Sequence, residues 1–247
     1  METMQRAATG FVFADRIRTE GSATAEFYNQ LLRGMTHKLN NMLAVIQGFS
    51  SLILMNDDLD PGTKENLDHM KEAAQSASGL SERILAAGGC ARINPQSLKL
   101  GDFLPMIDSS LRAPFSKYGV PFSINLAPNV PAVTADSSRL KEVLIELLKN
   151  GAEAAAEAGG EVSLDIVPPG EITQGSDRVD VFIRNSGPTI PPDKLPTLFH
   201  PFVTTKDSSH CGIGLTAAFV LAGMMDIPLG LKSEDGVTTA WLQIPVA

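Results

Sequence analysis

Residues 34–47, GMTHKLNNMLAVIQ, set one histidine, His37, among hydrophobic residues at helical spacing, with the amide of Asn41 one turn further along the same face. Taken alone, the stretch leaves open whether His37 is the site of a reaction or a surface residue between core positions. In a second stretch, residues 144–154 (LIELLKNGAEA), the apolar positions face a core while Glu146 and Asn150 stand four apart on one helix face. A carboxylate and an amide so placed can position a magnesium ion and a nucleophile beside a triphosphate, because magnesium prefers oxygen ligands and keeps part of its water shell. A solvated helix face carries the same pattern. In VFIRNSGPTIPPDKLPTLFHPFVTTK a strand runs into a turn at Asn185-Ser186-Gly187, where Gly187 lets the backbone approach a flat ligand and Asn185 offers a hydrogen-bonding edge. Finally, HCGIGLT places Gly212 and Gly214 just before a helix, where amide N–H groups and the positive end of the dipole favour phosphate. Read singly, the last two are also an ordinary loop and a plain turn.

The elements that must position these residues show two different periods. From about Thr24 to Met55 the apolar residues recur three or four apart, at Phe27, Leu31, Met35, Leu39, Met42, Ile46, Phe49 and Ile53, which predicts a long amphipathic helix. NDDLDPGT breaks it, with Pro61 suited to the first turn of a second helix that Gly88-Gly89 stops. A lone hairpin of this kind exposes its apolar stripe; pairing two hairpins in a four-helix bundle buries it, so a homodimer is expected. After Asn94-Pro95, β-type runs (PFSINLA, EVSLDIV, RVDVFIRN, TTAWLQIPV) alternate with helical stretches near 101–117, 137–158 and 214–222. That order predicts an α/β layer domain with helices on one face of a mixed sheet. The expected organisation is a segment of unassigned structure at 1–23, a helical hairpin at 24–94 and the α/β domain at 95–247.

Composition narrows the function classes. With 247 residues, 43% hydrophobic and 19% charged, the chain can bury sizeable cores. Its net charge of −8 argues against sequence-independent nucleic-acid binding, which needs clustered Lys and Arg. Cys90 and Cys211 match no metal-ligand spacing, and a reducing cytoplasm is the expected setting. No apolar run reaches the roughly 20 residues that span a bilayer, and the N-terminus lacks a signal-peptide core, so direct membrane insertion is not expected.

In order, ELLKN, RNSGP, LFHPFVTTK and GIGL resemble the N, G1, F and G2 boxes of the ATP-binding domain of two-component sensor histidine kinases, within the GHKL ATPase group that includes DNA gyrase. THKLNNMLAVIQG resembles their H box, on the first helix of the dimerisation and phosphotransfer domain. The resemblance spans roughly residues 30 to 245, and four boxes in register are far more specific than any one. It implies a Bergerat-type α/β sandwich that binds ATP and magnesium. Asn150 would hold the metal, with Lys149 and Glu153 beside it; Asn185 and Gly187 would lie at the adenine. Gly212, Ile213, Gly214 and Leu215 would lie at the phosphates, with Thr204, Thr205 and Lys206 nearby, and 207–211 would form a short lid of the nitrogen-regulation type. His37 would attack the γ-phosphate and pass the phosphoryl group to an aspartate of a response-regulator receiver domain. Asn41 would orient a water in phosphatase chemistry.

Several positions depart from the family pattern. The residue after the histidine is usually acidic; here it is Lys38, which cannot take a proton while charged, so that either Glu146 substitutes as base or autophosphorylation is weak. Asn185 stands where an aspartate usually accepts a bond from the adenine amino group, and a neutral acceptor is weaker by about 1 kcal/mol. Thr189 and His210 replace glycines of loops that normally flex. These departures keep two alternatives beside an autokinase: a histidine phosphotransferase or pseudokinase that relays phosphoryl groups between receivers, and a regulator that binds ATP or a partner without phosphorylating itself.

Overall fold

The computed structural model describes residues 10–13, 23–173, 175–204 and 211–247. They fall into two compact units, one helical within Arg18–Ala91 and one α/β, formed by Arg92–Ala247 together with residues 10–13. Among the described residues no helix is long and apolar enough to cross a membrane.

The helical unit is an antiparallel pair, α1 (Ala23–Leu54) and α2 (Pro61–Ala87). Its turn follows from local chemistry. The Asp60 carboxylate accepts from the Thr63 N–H at 3.0 Å, Pro61 occupies the first turn, and the N–H of Gly88 closes on the Ile84 carbonyl at 2.9 Å. Thr36, Leu43 and Ser50 of α1 are buried, as are Leu67, Ala74 and Ser81 of α2. Phe27, Leu31, Met35, Met42, Phe49 and Leu52 form a second stripe on α1, exposed along the whole helix.

The α/β unit contains α3 (Leu100–Tyr118), α4 (Ser137–Ala158) and α5 (Gly214–Met224). They pack with a six-stranded sheet built from β1 (Val12–Phe13), β3 (Phe122–Leu126), β5 (Val162–Val167), β6 (Arg178–Ser186), β7 (Leu229–Glu234) and β8 (Val237–Pro245). Two short strands, β2 (Gln96–Leu98) and β4 (Val133–Ala135), pair separately. The sheet order is β1-β7-β8-β6-β5-β3; β3 and β5 run parallel and all other neighbours antiparallel, giving the mixed sheet that the alternating runs predict. Val179, Val181 and Ile183 of β6 pair with Ile244, Leu242 and Ala240 of β8, and all six are buried. The alternate residues, Asp180 and Phe182 with Gln243 and Trp241, point to the opposite face, where Phe182 and Trp241 stack at 5.7 Å. Sequence alternation misses β7, because Pro228 precedes it and Gly230 interrupts it, and β1, β2 and β4, which are two or three residues long.

Candidate functional site

In the helical unit His37 is exposed, and its neighbours show why. Thr36 faces α2, Met35 and Met42 lie on the exposed apolar stripe, and successive residues of a helix step by about 100°, which sends His37 to a third, polar face. Asn41 follows on that face, with its Nδ2 3.4 Å from His37 Nδ1.

In the α/β unit the other motifs are carried by α4. Asp136 caps it, accepting from the N–H groups of Ser138 and Arg139 at 3.0 and 3.1 Å, and Leu140, Val143, Leu144, Leu147 and Leu148 bury its apolar face. Glu146, Lys149 and Asn150 remain half-buried. Next to Asn150, Gly151 packs tightly on the sheet: a Cβ there would stand 3.3 Å from the Cβ of Asn185 at the end of β6. Gly187 touches the same helix, since its Cβ would meet Ala154 at 3.2 Å, and its N–H donates to the Gly236 carbonyl at 2.9 Å. Asn185 is buried and its amide nitrogen donates to the Ser186 carbonyl at 3.1 Å. A Cβ on Gly214 would collide with the Glu146 carboxylate. The NSG turn and Gly214, the first residue of α5, therefore both come against α4, where Glu146 and Asn150 stand.

The loop entering α5 is closed by backbone. Phe202 donates its N–H to the Gly212 carbonyl at 2.9 Å, with Phe202 at φ +66 and Gly212 at φ +63. A Cβ on Gly212 would stand 2.7 Å from the Val203 carbonyl, so glycine is needed there for space as well as for φ. No side chain caps the N-terminus of α5, and Thr216, in its first turn, is buried with a hydroxyl that has no partner among the described residues. Ile213 is buried, Leu215 half-buried and Thr204 exposed; Thr205 and Lys206, like His210, lie outside the described residues. Phe202 and Thr216 are additions to the sequence-derived set. Thr216 continues the GIGLT motif, whereas nothing local marks Phe202 as left-handed.

Glu153 is held differently from Glu146 and Asn150. It is buried, accepts from the Tyr118 hydroxyl at 3.2 Å and lies 4.0 Å from Lys149 Nζ. Burial, then the Glu153 charge, raises the pKa of the Tyr118 phenol. Tyr118 and Glu153 thus tie α3 to α4. Among the described residues no three His, Cys, Asp or Glu cluster as a protein metal cage. The donor set fits an ion that keeps waters and takes phosphate oxygens beside an amide such as Asn150. An uncapped helix start lined by glycine fits the phosphates themselves.

Fold and site together define a GHKL-type ATPase domain joined to a helical hairpin that carries an exposed histidine. Residues 135–247 match the family described as Histidine kinase-, DNA gyrase B-, and HSP90-like ATPase, and residues 28–88 match the His Kinase A (phospho-acceptor) domain. The chain belongs to the two-component sensor histidine kinases. It is 27% identical over 236 residues to the sensory histidine kinase/phosphatase NtrB of Rhizobium meliloti, covering 91% of this chain and 60% of NtrB. It is also 27% identical over 200 residues to the sensor kinase CckA of Brucella abortus, covering 77% of this chain and 21% of CckA. The chain thus spans between about a fifth and three fifths of these relatives' length. Full-length ShkA in complex with AMPPNP shares the fold at a TM-score of 0.75 and 21% identity, over 88% of this chain and 46% of that one. The histidine kinase ThkA in complex with the response regulator protein TrrA aligns at 0.56 and 20% identity, over 88% and 61%.

Proposed function

We propose that this chain is an ATP-dependent protein-histidine kinase that phosphorylates its own His37 and passes the phosphoryl group to an aspartate of a response-regulator receiver domain. The observation that carries the reading is the convergence on α4. Asn185 sits against Gly151, Gly187 against Ala154 and Gly214 against Glu146, so groups suited to adenine, metal and phosphate lie along one helix. Asn185 and Gly187 take the base; Gly212, Ile213, Gly214 and Leu215 offer the phosphates the uncapped start of α5. Thr204, Thr205 and Lys206, with Lys149, are assigned to the polyphosphate side. Asn150 holds magnesium, which when bound neutralises charge on the transferring phosphoryl group.

At His37 the contact with Asn41 addresses the absence of an acidic neighbour. Turned so that its oxygen faces the ring, the Asn41 amide accepts from Nδ1–H, fixing the tautomer whose Nε2 lone pair is free to attack. The Nε2–P bond forms as the bond from the γ-phosphorus to the departing ADP oxygen breaks. Once Nε2 carries the phosphoryl group, the proton to be lost is the one on Nδ1, and Glu146 is the carboxylate assigned to receive it as Asn41 releases it. The N–P bond then breaks as the receiver carboxylate takes the phosphoryl group. The resemblance in fold to ThkA, whose structure includes a response regulator, supports the partner class. The exposed stripe of α1 supports a homodimer through the hairpin, because an unpartnered face of this size is otherwise left in water.

Incubation of the purified protein with γ-labelled ATP and magnesium tests the reading. Acid-labile, base-stable label on the wild type and none on His37→Ala is the expected result. No label on the wild type, but label on Lys38→Glu, would assign the chain to the phosphotransfer alternative instead.

A further inference from the structure

The far face of the sheet holds an arrangement that the kinase reading does not use. One cross-strand rung runs through all six strands, pairing Phe13 with Gly230, Gly230 with Trp241, Trp241 with Phe182, Phe182 with Asp165, and Asp165 with Asn125. Gly230 is the gap in this row: a Cβ there would stand 2.7 Å from the ring of Phe13. Glycine inside a strand weakens it, and it is found where another group must come close. Through that gap the Phe13 ring reaches Trp241 at 5.8 Å, while Phe11, on the same side of the strand, meets the indole edge-on at 5.1 Å. Trp241 is left 2% exposed. Without β1, strand β7 would be the open edge of the sheet, with a row of unpaired backbone groups.

The same short strand packs on the 3-10 turn Leu195–Phe199. That turn is joined to α5 by Phe199 against Phe219, with ring centroids 5.0 Å apart. Helix α5 begins at Gly214, beside Glu146. In sequence, β1 is the described element that precedes α1, the helix that carries His37. The chain therefore enters the phosphoacceptor hairpin from a strand held by the ATP-binding domain and returns to that domain after it.

We propose that the β7 edge, with the gap at Gly230 and the indole of Trp241, is a docking site for the segment 11–13 of this chain, and that the docked strand couples whatever acts ahead of α1 to the nucleotide site. The docking half stands on geometry alone; the coupling half rests on the kinase reading. The chain has one tryptophan, so its fluorescence reports the docking directly.

The test compares the full chain with a Phe11→Ala/Phe13→Ala double variant and, separately, with Gly230→Ala, which fills the gap and leaves both rings in place. Acrylamide quenching of Trp241 should rise several-fold in both, and amide exchange across Leu229–Glu234 should quicken by about tenfold or more, as expected for a strand returned to an open edge. Should the double variant fail to fold, Gly230→Ala alone carries the result. Unchanged quenching and exchange overturn the docking site. Binding of a fluorescent ATP analogue should differ about fivefold between wild type and variants. Equal binding with the strand released overturns the coupling and leaves the docking. A wild type that binds no nucleotide overturns the kinase reading, while the quenching and exchange results still decide the docking.

Discussion

A Cβ on Gly151 would stand 3.3 Å from the Cβ of Asn185 and 3.5 Å from its Oδ1, so α4 packs closely on the end of β6. Asn150 and Asn185, contributed by elements 35 positions apart, are brought to one wall by this contact. Valine at 151 has no space, with Val162 Cγ1 also 3.6 Å away. Gly151→Val should destabilise the α/β unit by about 1–3 kcal/mol and weaken ATP binding by about tenfold, the equivalent of roughly 1.4 kcal/mol. Urea unfolding and equilibrium nucleotide binding check the two effects, and wild-type values in both would mean that this contact shapes neither the fold nor the nucleotide site.

Glu146 and Asn150 share a face of α4 but are assigned different roles, and substitution should separate them. Asn150→Ala should abolish magnesium-dependent ATP binding. Glu146→Gln keeps the shape beside Gly214 and should leave binding near wild type while slowing His37 labelling by about a hundredfold, the scale of a lost general base. If Glu146→Gln labels at the wild-type rate, the proton goes elsewhere.

Elements fixed by local chemistry were legible in the sequence; contacts made over long sequence distances were not. Helix α4 can be read from its period and from Gly159 at its end, and α2 from Pro61 and Gly88. The two glycines before α5 likewise announce a helix start. Nothing local says that the space left by Gly214 is taken by Glu146, 68 positions earlier, or that Gly230 is small because Phe13 lies over it. Glu153 shows the converse limit. It stands near the ligand-facing positions on a helical wheel, yet Tyr118, 35 positions away, decides what its carboxylate meets. Strand β7 escapes the alternation pattern because Gly230, which makes room for Phe13, also interrupts it.

Met42 and Phe49 test the dimer without disturbing the hairpin. They are 59% and 63% exposed in the single chain, so a charge at either leaves the α1–α2 contact intact. Met42→Glu/Phe49→Glu should weaken self-association by about thirtyfold or more, the effect of losing roughly 2 kcal/mol of apolar anchoring, with helical circular dichroism retained. Sedimentation equilibrium reads the result. An unchanged dimer would move the interface off this stripe.

Asp180 should make stability depend on pH in the opposite sense from Asp165. Both lie on the far face of the sheet. Burial alone would raise the pKa of Asp165, but hydrogen bonds from Asn125 and Ser163 and the Arg184 guanidinium hold it below the ordinary range. Asp180 is fully buried, and among the described residues its carboxylate meets only neutral donors. Its Oδ1 accepts from Trp241 Nε1 at 2.8 Å and Gln243 Nε2 at 3.2 Å, while Oδ2 has no partner among the described residues. Burial raises its pKa above the ordinary 3.8, and the two neutral donors only partly oppose this. The folded protein therefore binds this proton more tightly than the unfolded chain does. That contribution is full below pH 3.8 and is lost as pH rises through the folded value. Asp180→Asn keeps an acceptor for both donors and removes the charge, so at pH 7 it should be as stable as wild type or more so, by about 1 kcal/mol. The advantage should shrink as the pH approaches 4, where the wild-type carboxyl gains its proton. Urea midpoints at the two pH values measure this, and an equal loss at both would show that the charge at Asp180 is tolerated for a reason other than its two hydrogen bonds.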